Sequence, residues 1–142
     1  PTGSITAFYT VLVDGDDMNE PIADAVRGIL DGHIVLSRQL ASRGQFPSID
    51  ILQSVSRLMP ELVDENHLRR AAAAREILAT YADAKDLVDI GAYVAGSNPR
   101  IDRALGAIEA LNGFLRQKPE ETSSFAETME RLHALNLGGD AA

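Results

Sequence analysis

FPSIDILQSVSRLMP, at residues 46–60, separates a strand-rich N-terminal third of the chain from a long helical remainder. The stretch holds an aromatic residue, Phe46, before a proline, and it carries one arginine, Arg57, inside a short apolar and hydroxyl-rich run. Physical chemistry alone favours a surface or ion-paired arginine at such a position. The rest of the chain has to indicate whether Arg57 takes part in chemistry.

The charge of the chain argues against an extended nucleic-acid interface. The 142 residues include 13 basic and 21 acidic side chains, a net charge of -8, whereas binding along a phosphate backbone requires a basic stripe. The densest basic group is Arg69, Arg70 and Arg75, and its acidic neighbours at helical spacing predict a solvated helix face. The chain has no cysteine, which excludes disulfides and is compatible with the cytoplasm.

Two apolar runs in the first third of the chain predict strands. Residues 3–13 are rich in β-branched and aromatic side chains, which is typical of a strand buried on both faces of a parallel sheet. Residues 33–37 form a second run that we expect to pair with the first. A helix with Asn19 as its candidate cap and Pro21 at an early position separates the runs. A brief helix at residues 38–43, closed by Gly44, follows them.

This alternation of strands and helices predicts about two parallel strands with helices on their faces. Two strands do not form a stable sheet alone. Because the first predicted strand begins within three residues of the N-terminus, we expect the first half of its domain to lie upstream.

The remainder of the chain predicts a bundle of three main helices. Apolar and small residues at alternating steps of four and three indicate a helix from about residue 64 to about residue 94. They are Ala74, Ile77, Tyr81, Ala84, Val88 and Gly91. A second apolar stripe runs from Ile101 to Leu115 and ends before Pro119. Ser123 or Ser124 is a candidate cap for a third helix with an apolar stripe from Phe125 to Leu135.

Local catalytic motifs are absent from the sequence. It has no GxxxxGK[ST] phosphate loop, no nucleophile elbow and no close pair of carboxylates in an apolar setting. The acidic cluster at residues 14–17 is compatible with a cation site, but such clusters more often form turns and caps. The histidines are too far apart for a local metal motif and are interpreted as structural or exposed; they are His33, His67 and His133.

Four segments of the chain together carry a specific resemblance. They are residues 3–13, 16–22, 29–38 and 46–59, and with them the chain resembles the C-terminal part of the flagellar type III export ATPase. That family is related to the catalytic subunits of rotary F-type and V-type ATPases and to the injectisome secretion ATPases. Residues 16–21 and 51–57 favour the flagellar branch over the injectisome branch.

The resemblance implies a fold and a division of the chain. Residues 1–61 would be the C-terminal end of a RecA-like nucleotide-binding domain, and residues 62–142 a C-terminal helical domain. The family's phosphate-binding loop (Walker A), catalytic glutamate and magnesium-associated aspartate lie upstream of this chain's first residues. The resemblance therefore implies ATP and Mg²⁺ for the full-length enzyme. The 142 residues alone are expected to be inactive and to bind no cofactor tightly.

The same resemblance suggests roles for three residues and for no metal ligand. Arg57 matches the arginine that ends the family's Ser-x-Ser-Arg motif and reaches the neighbouring subunit's nucleotide as an arginine finger. Phe46 matches an aromatic residue that lies against the adenine base, and Phe114 matches a second aromatic residue of that pocket. Without the resemblance, ordinary core positions are the favoured interpretation of both phenylalanines. The loop at residues 95–100 lacks the acidic run with which rotary relatives act on their stalk.

The resemblance implies a ring motor, a homo-hexamer formed through the RecA-like core, that hydrolyses ATP for flagellar protein export. It would be cytoplasmic and peripheral at the inner face of the membrane export apparatus. Expected partners are regulator, stalk and gate proteins, export substrates and their chaperones, with no nucleic acid. Two alternatives remain: a non-catalytic helical module that binds partner proteins, and the equivalent part of an injectisome secretion ATPase.

Overall fold

The computed structural model describes residue 3 and residues 5–138, and of Asp16 only the backbone. A 3-10 turn at Asp14–Asp16 precedes the regular elements, which are α1 (Pro21–Ile29), β1 (Gly32–Leu36), α2 (Arg38–Ser42), β2 (Ile49–Ser56), α3 (Met59–Leu62), α4 (Glu65–Asp89), α5 (Pro99–Leu115) and α6 (Phe125–Ala134). The predicted order, an α/β part followed by an all-α part, is confirmed. None of the described helices is both long and apolar enough to cross a membrane.

The strand predicted at residues 3–13 does not form in the described part of that run, from which residue 4 is excluded. Its described apolar side chains other than that of Val13 are exposed, among them Phe8 at 90% and Leu12 at 92%. A β-branched run becomes a strand only where a neighbouring strand accepts its backbone hydrogen bonds and other elements cover its faces. The described residues supply neither to this run.

The two strands that form are antiparallel, so the predicted parallel pairing is wrong. β1 pairs with β2 rather than with residues 3–13. The connection through α2 turns at Gly44, whose φ of 72° is in the left-handed region. The chain then returns beside β1, where the Ser37 N–H donates to the Ser48 carbonyl at 2.8 Å. Strand direction is thus set by this compact connection.

The helices follow the predicted pattern, with small differences at their ends. Helix α1 has Pro21 in its first turn as expected, but its cap is Glu20, whose side chain accepts from the Ala23 N–H, and not Asn19. Helix α4 ends at Asp89, before the predicted residue 94. The reason is Gly91, whose φ of 69° leaves the helical region.

The core lies in the helical bundle. Small and branched residues of α4 and α5 pack together, and Leu137 closes the cluster from the segment after α6. Its buried members are Ala74, Ile77, Ala104, Ala107, Ile108, Leu111 and Leu137. The alanines let α4 and α5 approach closely.

The solvated face predicted for Arg69, Arg70 and Arg75 is correct only for Arg69, whose side chain is 69% exposed. Arg70 is 7% exposed, and its Nη2 donates to the carbonyls of Leu132 and His133 at 3.2 and 2.8 Å. It thereby joins α4 to the end of α6. A sequence signal existed, because Arg70 extends the α4 stripe of Ala74 and Ile77 at the same four-three spacing.

Candidate functional site

Strand β2 carries an unusually long bulge. His33 pairs with Val55 and Val35 pairs with Asp50. Between these pairs β1 has one residue and β2 has four, residues 51–54, which cannot all join the ladder. We call residues 51–54 the β2 bulge.

Side chains of β2 itself organise the β2 bulge. The Asp50 Oδ1 accepts from the N–H groups of Leu52 and Gln53, both at 3.0 Å. The Ser54 hydroxyl donates to the Asp50 carbonyl at 2.5 Å and accepts from the Val35 N–H at 3.0 Å. The bulge is therefore a defined turn within the strand and keeps the Val35 N–H of β1 paired.

Arg57 directly follows β2 and lies against the end of α1. Its backbone N–H donates to the Asp31 carbonyl at 2.7 Å, and its Nη2 donates to the Arg27 carbonyl at 3.1 Å. Arg27 belongs to the last turn of α1, where carbonyls lack helical partners and a cation is favoured. Arg57 is exposed, and no carboxylate in the described part of the chain pairs with it.

Phe46 lies where the N-terminal part meets the bundle. Its side chain is 55% exposed, and the Phe46–Pro47 peptide bond is cis. The Phe46 carbonyl accepts from the Gln117 N–H, just beyond α5, at 2.9 Å. The ring is available for stacking, and the backbone beside it is fixed to the bundle.

Phe114 lies on α5 and is half-buried beside the bundle core. The Arg131 guanidinium of α6 lies over its ring, 5.8 Å from the centroid, within the range of a cation–π interaction. An open cavity of about 260 Å³ is lined by Ala110, Phe114, Arg131, Ala134 and Leu135. The ring therefore has one face engaged by Arg131 and borders an open cavity.

The structure brings two of the three predicted site residues into one region. The Gln117 hydrogen bond holds the Phe46 backbone beside Gln117, which lies three residues after Phe114 in the chain. The described residues nevertheless show no contact between the two phenylalanine rings. Arg57 lies elsewhere, beyond the far end of β2 and beside α1. The three residues therefore do not form one cluster within the described part of this chain.

Arg75 is a residue of this region that the sequence interpretation missed. Its guanidinium reaches from α4 to β2 and donates to the carbonyls of Ile51 at 2.5 Å, Ser54 at 3.1 Å and Leu52 at 3.1 Å. The acceptors are backbone groups, so the residue types in β2 gave no signal of the contact. No group of three or more metal-ligating side chains occurs among the residues described.

Two family models match the chain. The model described as the T3SS EscN ATPase C-terminal domain matches residues 63–134. The model of the ATP synthase alpha/beta family nucleotide-binding domain matches residues 1–56.

Curated relatives match nearly the whole chain. A flagellum-specific ATP synthase of Pseudomonas aeruginosa is 51% identical over 139 residues, 98% of this chain and 31% of the relative. A type 3 secretion system ATPase of Sinorhizobium fredii is 54% identical over 127 residues, 89% of this chain and 28% of the relative. The chain thus spans about a third of the length of these relatives.

Solved structures match the fold. The assembled ATPase EscN from the type III secretion system of enteropathogenic E. coli is 46% identical, with a TM-score of 0.88 over 93% of this chain and 32% of that chain. EscN in complex with its central stalk EscO is 44% identical, with a TM-score of 0.74 over 79% of this chain and 28% of that chain.

Proposed function

We propose, from the premise that this chain belongs to the type III secretion ATPase family, that it is the C-terminal part of an enzyme that hydrolyses ATP to energise protein export. Residues 1–61 would complete a RecA-like nucleotide-binding domain, and residues 62–142 would form the helical domain that follows it. The high identity to flagellar and type 3 secretion ATPases supports this activity. We assign the flagellar branch from residues 16–21 and 51–57; the injectisome branch is the alternative.

Arg57 is the arginine finger of this proposal and acts on the nucleotide of the neighbouring subunit. The observation that carries the role is its exposed guanidinium, which among the described groups contacts a backbone carbonyl and no carboxylate. Leaving the Arg27 carbonyl costs less than breaking a buried ion pair. A planar, permanently charged guanidinium can hold two phosphate oxygens while charge moves to the leaving group, and such fingers contribute about 10³- to 10⁵-fold in rate.

Phe46 and Phe114 form the adenine pocket of the same proposal. The exposed ring of Phe46 offers a stacking face, and the cavity beside Phe114 offers apolar walls. The bound molecule is ATP, and Mg²⁺ accompanies it, held by residues of the family that this chain does not span. Within this chain, the two aromatics bind and orient the base.

The proposed assembly is a homo-hexameric ring with one active site at each interface. The assembled state of EscN and its complex with a central stalk support a ring that engages a stalk protein. The loop after α4 is one surface for that contact, because Ile90 and Val94 are exposed there. Further proposed partners are regulator and gate proteins, export substrates and chaperones. The proposed location is the cytoplasmic face of the membrane export apparatus.

The test is Arg57→Ala in the full-length protein, meaning this chain together with the portion of its relatives that it does not span. We expect turnover to fall about 10³-fold or more with little change in nucleotide affinity. Arg69→Ala is the matched control, because Arg69 is an exposed arginine of α4. Near-normal turnover of assembled Arg57→Ala rings would refute the finger.

A mixing experiment tests action between subunits. Subunits with Arg57→Ala are combined with subunits that cannot bind nucleotide. Some interfaces then join an intact nucleotide site to an intact Arg57, so mixed rings should regain turnover that neither variant has alone. Mixed rings that stay inactive would contradict a role on the neighbour's nucleotide.

A second candidate function is a helical module that binds partner proteins without catalysis. The buried cluster of the bundle favours it, because α4, α5 and Leu137 supply all of that cluster's members. Nucleotide titration of the 142-residue chain tests both candidate functions against a third, in which this chain alone is a complete ATPase. We expect no hydrolysis and at most weak adenine binding by the chain alone.

A further inference from the structure

We propose that Arg75 is a positioning residue that sets the geometry of Arg57 by holding the β2 bulge. The inference rests on the proposed function, since it requires that Arg57 act in turnover. A residue of the helical bundle would then help to orient Arg57. Arg75 does so through the backbone of β2 and touches neither nucleotide nor Arg57.

The hydrogen bonds of the β2 bulge carry this inference. Four carbonyls in the bulge are left over by the strand ladder. One side chain serves three of them, because the Arg75 Nη1 and Nη2 donate to the carbonyls of Ile51, Leu52 and Ser54. The fourth, that of Gln53, is paired with the His33 Nε2 at 3.0 Å. Every carbonyl of the bulge thus has a side-chain donor, and one guanidinium supplies most of them.

An arginine suits this position for a physical reason. Its guanidinium presents five N–H donors in a rigid plane, so one side chain can serve several diverging carbonyls. Hydrogen bonds from a charged donor are stronger than neutral ones. A lysine ammonium at the end of a flexible stem could serve these carbonyls only in part. The bulge therefore depends on the shape of the arginine as well as on its charge.

The path from the bulge to Arg57 is short and stiff. Only Val55 and Ser56 intervene, and they pair with His33 and Gly32 of β1. A Cβ atom on Gly32 would lie 2.7 Å from the Val55 carbonyl, so the two strands are tightly apposed at this point. The Arg57 N–H then donates to the Asp31 carbonyl. The paired residues between the bulge and Arg57 can absorb little displacement, so a shift of the bulge also shifts Arg57.

The other end of the contact is equally well fixed. Arg75 lies between the buried residues Ala74 and Ile77 of α4, which pack in the bundle core. The backbone of Arg75 therefore moves with the bundle, and its guanidinium moves the bulge. A displacement of the helical domain, such as a stalk protein could impose, would change the aim of Arg57 by this route.

The experiment compares Arg75→Met with Arg69→Met in the full-length protein, each in the wild-type and the Arg57→Ala background. Methionine keeps an unbranched apolar stem and removes the donors. We expect Arg75→Met to lower kcat about 10- to 100-fold, the loss typical of a reacting group displaced by about 1 Å, with KM changed less than about twofold. Arg69→Met should change neither constant.

The double variant separates positioning from general damage. If Arg75 acts through Arg57, Arg75→Met should lower turnover less than about twofold in the Arg57→Ala background. An equal fractional loss in both backgrounds would overturn the proposal, because it would indicate a structural role alone. An unchanged kcat of Arg75→Met in assembled rings would overturn it as well.

A second substitution covers the case in which Arg75→Met does not assemble. Arg75→Lys keeps the charge but loses the planar set of guanidinium donors. We therefore expect an intermediate loss of kcat that again vanishes in the Arg57→Ala background. The failure of the proposed function has a separate signature, which is near-normal turnover of Arg57→Ala itself. A strong effect of Arg57→Ala without any effect of either Arg75 substitution would refute only the positioning role.

Discussion

The Gln117 N–H donates a hydrogen bond of 2.9 Å to the carbonyl of Phe46. This bond joins the end of α5 to the start of the segment that leads into β2. It lies at the opposite end of that segment from Arg57, and the Arg75 contacts lie between the two. The bundle therefore holds this segment at two places. One is Phe46, where the base is proposed to bind, and the other is the β2 bulge, which precedes Arg57.

Gln117→Pro should weaken nucleotide binding. Proline removes the N–H that the Phe46 carbonyl accepts, and Arg116, with φ −90° and ψ 140°, already has the extended conformation required before a proline. We expect KM for ATP in the full-length protein to rise about tenfold, as for the loss of about 1.4 kcal/mol. Gln117→Ala is the control, since it keeps the N–H. Equal KM values for the two variants would contradict the role of this bond.

Arg70→Met should destabilise the bundle far more than Arg69→Met. Removing the buried guanidinium leaves the carbonyls of Leu132 and His133 without this donor, at a cost of about 3 kcal/mol in the free energy of unfolding. The exposed Arg69 should contribute within about 0.5 kcal/mol. Chemical denaturation of the chain measures both. Similar losses for the two variants would show that the Arg70 contacts add nothing.

The sequence predicted the helices well because a helix is a local structure whose buried face repeats along the chain. The stripe through Ala74, Ile77 and Ala84 is both the predicted and the observed core of α4. Strand pairing was predicted poorly because it depends on remote partners. The composition of residues 33–37 is the same whether the neighbouring strand runs parallel or antiparallel, and Gly44 and the short α2 decide the direction.

The candidate site shows the same division. Arg57, Phe46 and Phe114 could be selected only through a family resemblance, since each residue type is also common in ordinary surfaces and cores. Arg75 could not be selected at all, because its acceptors are carbonyls that every residue carries. A contact of this kind is visible only when the bulge and the helix are seen side by side.

Leu111→Ala should test how much of the stability resides in the contact between α4 and α5. Leu111 is 1% exposed, and truncating a leucine in such a position costs about 2–5 kcal/mol. The free energy of unfolding from denaturant titration should fall by that amount. Leu62→Ala, at a leucine that is 74% exposed, should change it by about 0.5 kcal/mol or less. A loss below about 1 kcal/mol at Leu111 would mean that the core collapses around the cavity.

The cap of α6 should make its stability depend on pH. The Glu127 carboxylate accepts from the Ser124 N–H at 2.7 Å and from the Ser124 hydroxyl at 2.8 Å, and the backbone bond is the larger cause that lowers the pKa of Glu127 below its ordinary value. A lowered folded-state pKa gives stability that is fully present above the unfolded pKa, about 4.3, and is lost as the pH falls through the folded value.

Glu127→Gln keeps a side chain that can form the capping box but removes the titration. The stability difference between wild type and Glu127→Gln, followed by amide exchange of α6 at low salt, should therefore be constant from pH 7 to about 5 and shrink below that. Glu130→Gln, which removes another carboxylate of α6, corrects for net charge. A Glu127→Gln difference that persists unchanged to pH 3 after this correction would contradict the cap as the cause.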